Sequence, residues 1–338
     1  MIMNCRSAIM LTMDIILNLG ILGLSIFFLV RASYFVVQSL SAISRYLGVS
    51  EFILSFLLLS LATSLSELSV GVNAAIGGIP ELSLGDVLGT NLVNLTLVLG
   101  LIAIIGKKIK LRDYKQFAST RLANILLVSA PFVLLIDGQL SRLDGGVLLL
   151  LFIIHIARIA RNKEEFTTKK TFKETMQRYV QYVALTRREF IARISIFAVS
   201  SLVLIGSAYT IVYAATNISE TIGVSEFVIG LFVIAVGTSL PELTVGLRAV
   251  RDNKSAISIG NLFGAVTINA TLVLGVVALI NPIHISDPLQ YVITFAMTIG
   301  TIFLVYFFLR NNHIINARNG AVLLVVYCLF LLLQSIHL

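Results

Sequence analysis

The chain has 338 residues, of which 57% are hydrophobic and only 12% are charged, and its mean hydropathy is +0.97. A soluble domain does not sustain this composition, so the sequence predicts an integral membrane protein. The formal net charge of +8 does not indicate a nucleic-acid partner, because the basic residues lie between apolar segments. Cys5 and Cys328 stand at opposite ends of the chain and match no metal-binding spacing. The sequence has neither a nucleotide-binding loop nor a plausible nucleophile–base set, which excludes a soluble enzyme.

Apolar stretches of membrane-spanning length predict about ten transmembrane helices. In chain order they cover residues 15–38, 52–76, 82–105, 119–136, 144–160, 194–216, 227–250, 256–280, 289–309 and 320–336. The first stretch is too long for a cleaved signal segment, and no small-residue cleavage site follows it. We therefore predict an all-α integral membrane protein.

These spans divide the chain into two sets of five. We predict a first five-helix repeat at residues 1–160, a basic linker at 161–193 and a second five-helix repeat at 194–338. Because five is an odd number, the second repeat must enter the membrane from the opposite side, which predicts two repeats of inverted topology. We interpret the linker as a cytoplasmic connecting segment. A regulatory or lipid-sensing role stays open, because polybasic segments attract anionic lipid.

Loop charge predicts the orientation of the spans. Lys and Arg residues are concentrated in alternate loops, at 107–112, 158–193, 248–254 and 310–318. In the intervening loops, Arg142 is the only Lys or Arg residue. Basic loops remain on the cytoplasmic side of a membrane, so we expect both termini to lie on the extracellular side. The lipid bilayer is the predicted partner, and the sequence indicates no obligate protein partner and no cofactor.

One acidic segment occurs twice, 175 positions apart. Residues 48–100 align with residues 223–275 without a gap, and about 22 of the 53 positions are identical. Each copy contains one glutamate in an otherwise apolar helix. Glu67 is the last residue of the motif ATSLSE at 62–67, and Glu242 is the last residue of the motif GTSLPE at 237–242. A carboxylate deep in a membrane is costly unless it faces a cavity, a partner or an ion. Two of them at equivalent places predict one cation site shared between the halves.

Hydroxyl side chains precede both carboxylates by about one helical turn. They are Thr63 and Ser64 in the first copy, and Thr238 and Ser239 in the second. Such oxygen ligands suit sodium or calcium, and no His or Cys accompanies them. Pro241 has no backbone N–H, so it leaves the carbonyl one helical turn earlier without its hydrogen bond and predicts a break in the helix. Ser66 occupies the matching position in the first copy, so a helix break there needs another cause or has another shape. The alternative is a set of hydrogen bonds that only hold the helices together.

A second motif follows each acidic one. It reads GDVLGTNLVN from Gly85 to Asn94 and GNLFGAVTIN from Gly260 to Asn269. Glycines four residues apart allow close helix approach or a helical break. An amide in an apolar span is expensive without a partner, and its carbonyl oxygen is a neutral cation ligand. Two Glu and two Asn form a cluster of formal charge −2, which matches one divalent ion or two or more monovalent ions. Thr90 adds a hydroxyl one turn before Asn94.

In these motifs the chain resembles the sodium/calcium exchangers of the calcium:cation antiporter superfamily. Members carry motifs like G-T-S-L-P-E followed by G-N-x-x-G-S-N-x-x-N/D, and the resemblance covers essentially the whole chain in span count and spacing. It implies alternating access, with calcium bound by Glu67, Glu242 and the carbonyls of Thr63 and Thr238. Sodium would compete for the same carboxylates, and two helices outside the core would slide across it.

The chain departs from the family pattern at four positions. They are Ala62 in place of Gly, Ser66 in place of Pro, Asp86 in place of Asn, and Ala265 in place of a serine. In the family, that serine offers its hydroxyl to a sodium ion, whereas Thr90 keeps an equivalent hydroxyl in the first repeat. Ala265 therefore predicts weaker sodium-driven exchange or fewer sodium ions per cycle.

Three functions are compatible with the sequence. The one we expect is a secondary antiporter, not an enzyme, that exchanges calcium for sodium, with both ions as transported substrates. The second is a proton-coupled antiporter of calcium or another cation, which the missing hydroxyl at Ala265 favours. The third is a cation channel or a non-transporting membrane protein. A channel normally builds its pore from symmetric subunits, whereas an internal inverted repeat encloses a site within one chain.

Overall fold

The computed structural model describes residues 5–46, 59–110, 114–161, 187–251, 255–285, 288–310 and 314–335, and these residues are almost entirely helical. A helix satisfies every backbone polar group within one segment, which lipid requires. Seven of the described helices are long and apolar enough to cross a membrane: Met13–Ser39, Pro80–Ile105, Arg188–Ile222, Glu226–Arg251, Ser258–Ile280, Pro288–Arg310 and Ala317–Ser335. The predicted helical membrane protein is confirmed, while the count of ten spans stays a prediction.

The described residues of the first half form seven α-helices. They are α1 (Cys5–Tyr46), α2 (Leu59–Thr63), α3 (Leu65–Ile76), α4 (Pro80–Val93), α5 (Leu99–Ile105), α6 (Tyr114–Leu134) and α7 (Arg142–Arg161). Helices α2 and α3 follow one another with a break at Ser64. A π-helical turn, Asn94–Val98, joins α4 to α5, and a 3-10 turn, Leu135–Asp137, continues α6.

The second half repeats much of this order. Its helices are α8 (Arg187–Ile222), α9 (Glu226–Ile229), α10 (Ala235–Thr238), α11 (Leu240–Arg251), α12 (Ser255–Ile268), α13 (Leu274–Ile280), α14 (Pro288–Arg310) and α15 (Ala317–Ser335). Here the break lies at Ser239, between α10 and α11. The π-helical turn Gly230–Ile234 joins α9 to α10, and the turn Asn269–Val273 joins α12 to α13.

Two helices extend well beyond the spans predicted for them. The predicted span 15–38 is part of a helix of 42 residues, and the predicted span 194–216 is part of a helix of 36 residues. Hydropathy marks only the apolar part of a helix, whereas α1 and α8 continue through polar flanks and pack along each other. Residues 52–58 of the second predicted span and 162–186 of the predicted linker lie outside the described residues.

Four short strands accompany the helices in the described part of the chain. They are β1 (Lys108–Lys110), β2 (Gln139–Leu140), β3 (Ile283–His284) and β4 (Ile314–Asn316). Strand β1 pairs antiparallel with β4, and β2 pairs antiparallel with β3. Strands β3 and β4 begin 175 positions after β1 and β2, so each ladder joins one half of the chain to the other. Strands of two or three residues are too short to show an alternating pattern in the sequence.

Two close helix crossings interleave the halves further. A Cβ atom on Gly100 of α5 would lie 2.9 Å from the Gly320 carbonyl of α15, and a Cβ atom on Gly145 of α7 would lie 2.8 Å from the Gly275 carbonyl of α13. The two crossings are related by the same offset of 175 positions. The largest buried hydrophobic clusters accordingly combine residues of both halves. Each half therefore depends on the other for its core.

Candidate functional site

The two acidic segments break their helices at equivalent residues and in the same shape. Ser64 has φ −73° and ψ 1°, and Ser239 has φ −79° and ψ −5°. Only the second break is followed by a proline, so the proline is not what the break requires. In the first segment the Ser66 hydroxyl lies 2.7 Å from the Thr63 carbonyl and 2.8 Å from Oε2 of Glu67, and it can donate to either.

Glu67 and Glu242 lie in the first turns of the helices that follow these breaks, α3 and α11, and neither has any exposed surface. The amino-terminal end of a helix favours a negative charge. Each carboxylate lies within electrostatic range of the other. Within the described part of the chain, Oε1 of Glu67 and both oxygens of Glu242 have no hydrogen-bond partner. Burying such a charge is expensive unless a cation or donor compensates it.

Asn94 and Asn269 each begin a π-helical turn, and both are fully buried. The turn that begins at Asn94 packs against α11, which carries Glu242, and the turn that begins at Asn269 packs against α3, which carries Glu67. Neither amide has a hydrogen-bond partner among the described residues. Isolated π-helical turns often occur at functional sites, and here each turn packs against the acidic helix of the opposite half.

The predicted hydroxyls lie in the same interior. The Oγ1 atoms of Thr90 and Thr238 are 3.0 Å apart, although 148 positions separate them in the chain. Thr63 donates to the Ser60 carbonyl over 3.2 Å and lies beside the Glu242 carboxylate. Every predicted site residue is at most 2% exposed: Glu67, Glu242, Asn94, Asn269, Thr63, Thr238, Ser64, Ser239 and Thr90.

Asp86 adds a third carboxylate to the buried interior that contains Glu67 and Glu242. In the sequence it stood out only as a departure from the family motif. Its side chain has no exposed surface, and its Oδ1 accepts hydrogen bonds from Thr238 over 3.0 Å and from Thr90 over 3.3 Å. Its Oδ2 has no partner among the described residues. The signal was present in the sequence, since Asp86 is also a carboxylate within an apolar span.

Two glycines place Asp86 and Thr90 against the second half. A Cβ atom on Gly85 would overlap the Phe227 carbonyl, and one on Gly89 would overlap the Leu231 carbonyl. Because both glycines lack a side chain, α4 crosses the segment 226–238 in direct backbone contact. This crossing puts the polar face of α4 beside Thr238.

The polar groups of this interior are of the types that bind hard cations. Its polar groups are carboxylates, amides, hydroxyls and backbone carbonyls, the ligands that calcium and other hard ions prefer. Among the described residues, no three His, Cys, Asp or Glu side chains lie close enough to hold a metal ion by themselves. Neutral oxygens therefore have to complete any coordination shell.

Comparison with known proteins gives a consistent family match. The family model described as "Sodium/calcium exchanger protein" matches residues 17–160 and again residues 193–336. Inner membrane protein YrbG of Escherichia coli is 34% identical over 256 residues, which cover 74% of this chain and 76% of that protein. Sodium/calcium exchanger MaX1 of Methanosarcina acetivorans is 28% identical over 347 residues, covering 94% of this chain and 98% of that protein.

Solved structures show the same architecture. The sodium-calcium exchanger NCX_Mj superposes with a TM-score of 0.61 at 26% identity, covering 93% of this chain and 97% of that chain. The H+/Ca2+ exchanger CAX superposes with a TM-score of 0.71 at 18% identity, covering 93% of this chain and 82% of that chain. At that identity the second likeness concerns the fold alone.

Proposed function

Because this chain belongs to the sodium/calcium exchanger protein family, we propose that it is a secondary antiporter that exchanges calcium for sodium across a cell membrane. It is a multi-pass membrane protein of a cation exchanger family. The observation that carries the proposal is the pair Glu67 and Glu242, both without exposed surface and close enough to interact. Two carboxylates in an apolar interior need compensating positive charge, and one calcium ion or two sodium ions supply it equally well.

In the proposed site, calcium is bound between Glu67 and Glu242. The amide oxygens of Asn94 and Asn269 would complete part of its shell, which is supported by their burial without hydrogen-bond partners in the described chain. The carbonyls of Thr63 and Thr238 lie at the helix breaks and would supply further ligands. Sodium ions would occupy the same carboxylates with the hydroxyls of Thr63, Ser64, Thr238, Ser239 and Thr90.

The proposed architecture is ten spans in two inverted repeats, 1–160 and 194–338, joined by a cytoplasmic linker at 161–193, with both termini outside the cell. The recurrence of breaks, π-helical turns, strands and helix crossings at an offset of 175 positions supports the repeats. Inverted repeats around a midplane site are the usual architecture of secondary transporters, in which the two halves alternately open the site to either side.

Proton-coupled exchange is the second candidate. The observation that favours it is Ala265, which is fully buried and leaves one half without the hydroxyl that Thr90 supplies in the other. Sodium remains our proposal, because hydroxyls arranged around carboxylates serve a metal ion better than a proton.

Calcium-45 uptake into proteoliposomes tests the proposal, with an outward sodium gradient and a pH gradient imposed separately. We expect uptake with the sodium gradient alone. Uptake that follows only the pH gradient would replace the proposal by proton-coupled exchange, and passive uptake with neither gradient would indicate a channel.

A further inference from the structure

Arg31 lies on a face of α1 that is turned away from the rest of the protein. It is exposed, and it is the only charged residue of α1 between Asp14 and Arg45. The large side chains around it are exposed as well and are all apolar: Leu24, Phe27, Phe28 and Phe35. Because the chain is a multi-pass membrane protein and α1 contains one of its apolar spans, this face of α1 contacts lipid.

Arg31 stands well inside the apolar span rather than at its edge. The span runs from Met13 to Ser39, and Arg31 lies eight residues before its end. At a rise of about 1.5 Å per residue, this distance corresponds to about 12 Å of helix. A charge at such a depth is tolerated when the side chain draws headgroups or water inward, or when it pairs with an opposite charge.

Carboxylates of the described helices lie away from Arg31. Two hydrogen bonds align α8 antiparallel to α1: Thr210 to Ser25 and Asn217 to Asn18. This alignment puts Arg31 level with the middle of α8, whereas the carboxylates of α8 lie near its ends, at Glu189 and Glu220. Glu67 and Glu242, on helices that also contact α1, are fully buried in the interior. Arg31 therefore has to find its counter-ion outside the described chain.

The guanidinium group of Arg31 is held over an aromatic ring. Its central carbon lies 5.3 Å from the centroid of the Phe27 ring. Such a ring attracts a cation through its face and does not occupy the N–H donors at the edge of the guanidinium group. These donors form a planar fork that matches the oxygens of a phosphate group.

Tyr34 and Gln38 continue the polar stripe from Arg31 towards the end of the span. They lie three and seven residues after Arg31 and therefore on the same side of the helix. Nε2 of Gln38 donates to the Tyr34 hydroxyl, so this hydroxyl can donate its own hydrogen to a second acceptor. A phosphate group that enters from this membrane surface meets Tyr34 before it meets Arg31.

The matching face of the other half carries no charge. Gly206 of α8 lies 175 positions after Arg31, and Tyr209 lies 175 positions after Tyr34. Nothing lies within 4 Å of a Cβ atom built at Gly206, so this position also faces outward. Inverted repeats would place Gly206 in the opposite leaflet, so the buried cation belongs to one leaflet alone.

We propose that Arg31, together with Phe27 and Tyr34, binds the phosphate group of one anionic phospholipid. The lipid lies in the leaflet at the carboxyl-terminal end of α1, which is the cytoplasmic leaflet in the proposed orientation. An anionic headgroup fits best because it brings a net negative charge to Arg31, whereas a zwitterionic headgroup brings a cation of its own. This lipid site does not depend on which ions the protein exchanges.

The helix that would hold this lipid also covers the candidate ion site. A Cβ atom on Gly237 would lie 2.8 Å from Cγ2 of Ile26, so the inner face of α1 packs directly beside Thr238. Arg31 follows Ile26 by five residues and lies on the outer face of the same helix. A lipid bound at Arg31 would fix the depth of α1 in the bilayer, so we expect it to change the rate of exchange.

Native mass spectrometry of the purified chain tests the site, with phosphatidylglycerol and phosphatidylcholine offered together. We expect one phosphatidylglycerol molecule to stay bound to the native protein under conditions that strip the other lipids. Arg31→Gln should lose this molecule, because it removes the charge from an exposed position. Arg31→Lys should keep it with a several-fold weaker affinity, since an ammonium group cannot bind phosphate with two parallel hydrogen bonds.

Arg310→Gln is the matched control, because it removes an exposed arginine from the end of α14 rather than from an apolar face. It should retain the lipid as the native protein does. Equal retention in Arg31→Gln, or equal retention of phosphatidylcholine by the native protein, would overturn the proposal. Release of the lipid by added inorganic phosphate would show a site for free anions and would overturn it as well.

Transport in liposomes of two compositions gives an independent readout. We expect phosphatidylglycerol in phosphatidylcholine liposomes to change calcium-45 exchange by the native protein several-fold and to leave exchange by Arg31→Gln unaltered. An equal response of both proteins would contradict the expected effect of the lipid on exchange. If the native protein exchanges no calcium under any gradient, the proposed function is wrong, and the mass spectra still decide whether the lipid site exists.

Discussion

At the scale of single residues, Glu67 and Glu242 carry the exchange that we propose. Glu67→Gln or Glu242→Gln removes a full charge from a divalent site but nearly preserves the shape of the side chain. In the proposed site each carboxylate forms a buried charge pair with the calcium ion. We expect each variant to lose calcium transport, because removing one partner of such a pair costs about 2–5 kcal/mol. Calcium-45 flux measures the loss, and thermal unfolding in detergent verifies that the variant is folded.

Glu220→Gln is the control for both variants, because Glu220 is exposed. Its calcium flux should equal that of the native protein. Near-native flux in either Glu67→Gln or Glu242→Gln would show that the calcium ligands are misassigned.

Ala265→Ser tests the missing hydroxyl. The serine restores an oxygen at the position that matches Thr90, so we expect sodium-driven calcium efflux to depend more steeply on sodium concentration. Ala265→Cys is the size-matched control, since a thiol is a poor ligand for a hard ion. An equal effect of both substitutions would assign the change to packing rather than to a sodium ligand.

The internal duplication was enough to single out the polar residues of both acidic segments as candidate cation ligands. Polar residues that recur at equivalent positions of two apolar repeats have few purely structural explanations. It did not select Asp86, since the matching residue, Asn261, is neutral. Of the two hydroxyls that contact Asp86, the nearer one belongs to Thr238, 152 positions away. Only the crossing of α4 with the opposite half brings these two residues together.

At the scale of elements, hydropathy located the long helices but not their interruptions. The break at Ser64 occurs without a proline, and the π-helical turns at Asn94 and Asn269 follow from no composition or spacing rule that the sequence displays. Short strands such as β2 depend on a partner from the other half, so local sequence carries no sign of them.

The crossing of α4 with the segment 226–238 makes a prediction about Gly89. A methyl group there would overlap the Leu231 carbonyl, so we expect Gly89→Ala to destabilise the protein by about 1–3 kcal/mol. It should also weaken calcium exchange, because Gly89 lies between Asp86 and Thr90. Thermal unfolding in detergent and calcium-45 flux measure the two effects.

Gly206→Ala in α8 is the matched control, because nothing lies within 4 Å of a Cβ atom built at Gly206. This variant should unfold at the native temperature or slightly above it. Equal behaviour of the Gly89 and Gly206 variants would show that the close crossing does not exist in the membrane.

At the scale of the whole molecule, the orientation in the membrane is the prediction to test first. Asp137 and Arg251 are both exposed and lie in loops of opposite predicted side. In a background where Cys5 and Cys328 are replaced, Asp137→Cys should react with an impermeant maleimide added outside intact cells, whereas Arg251→Cys should react only after permeabilisation. Labelling of both from the same side would contradict the inverted repeats.

The most direct test of the central claim is equilibrium binding of calcium-45 to the purified protein while the sodium concentration is raised. If calcium and sodium share the site formed by Glu67 and Glu242, the native protein binds one calcium ion per chain and sodium displaces it completely. Glu67→Gln and Glu242→Gln then bind no calcium at the concentration that saturates the native protein. Calcium that stays bound at saturating sodium, or binding retained in both variants, would contradict a shared site.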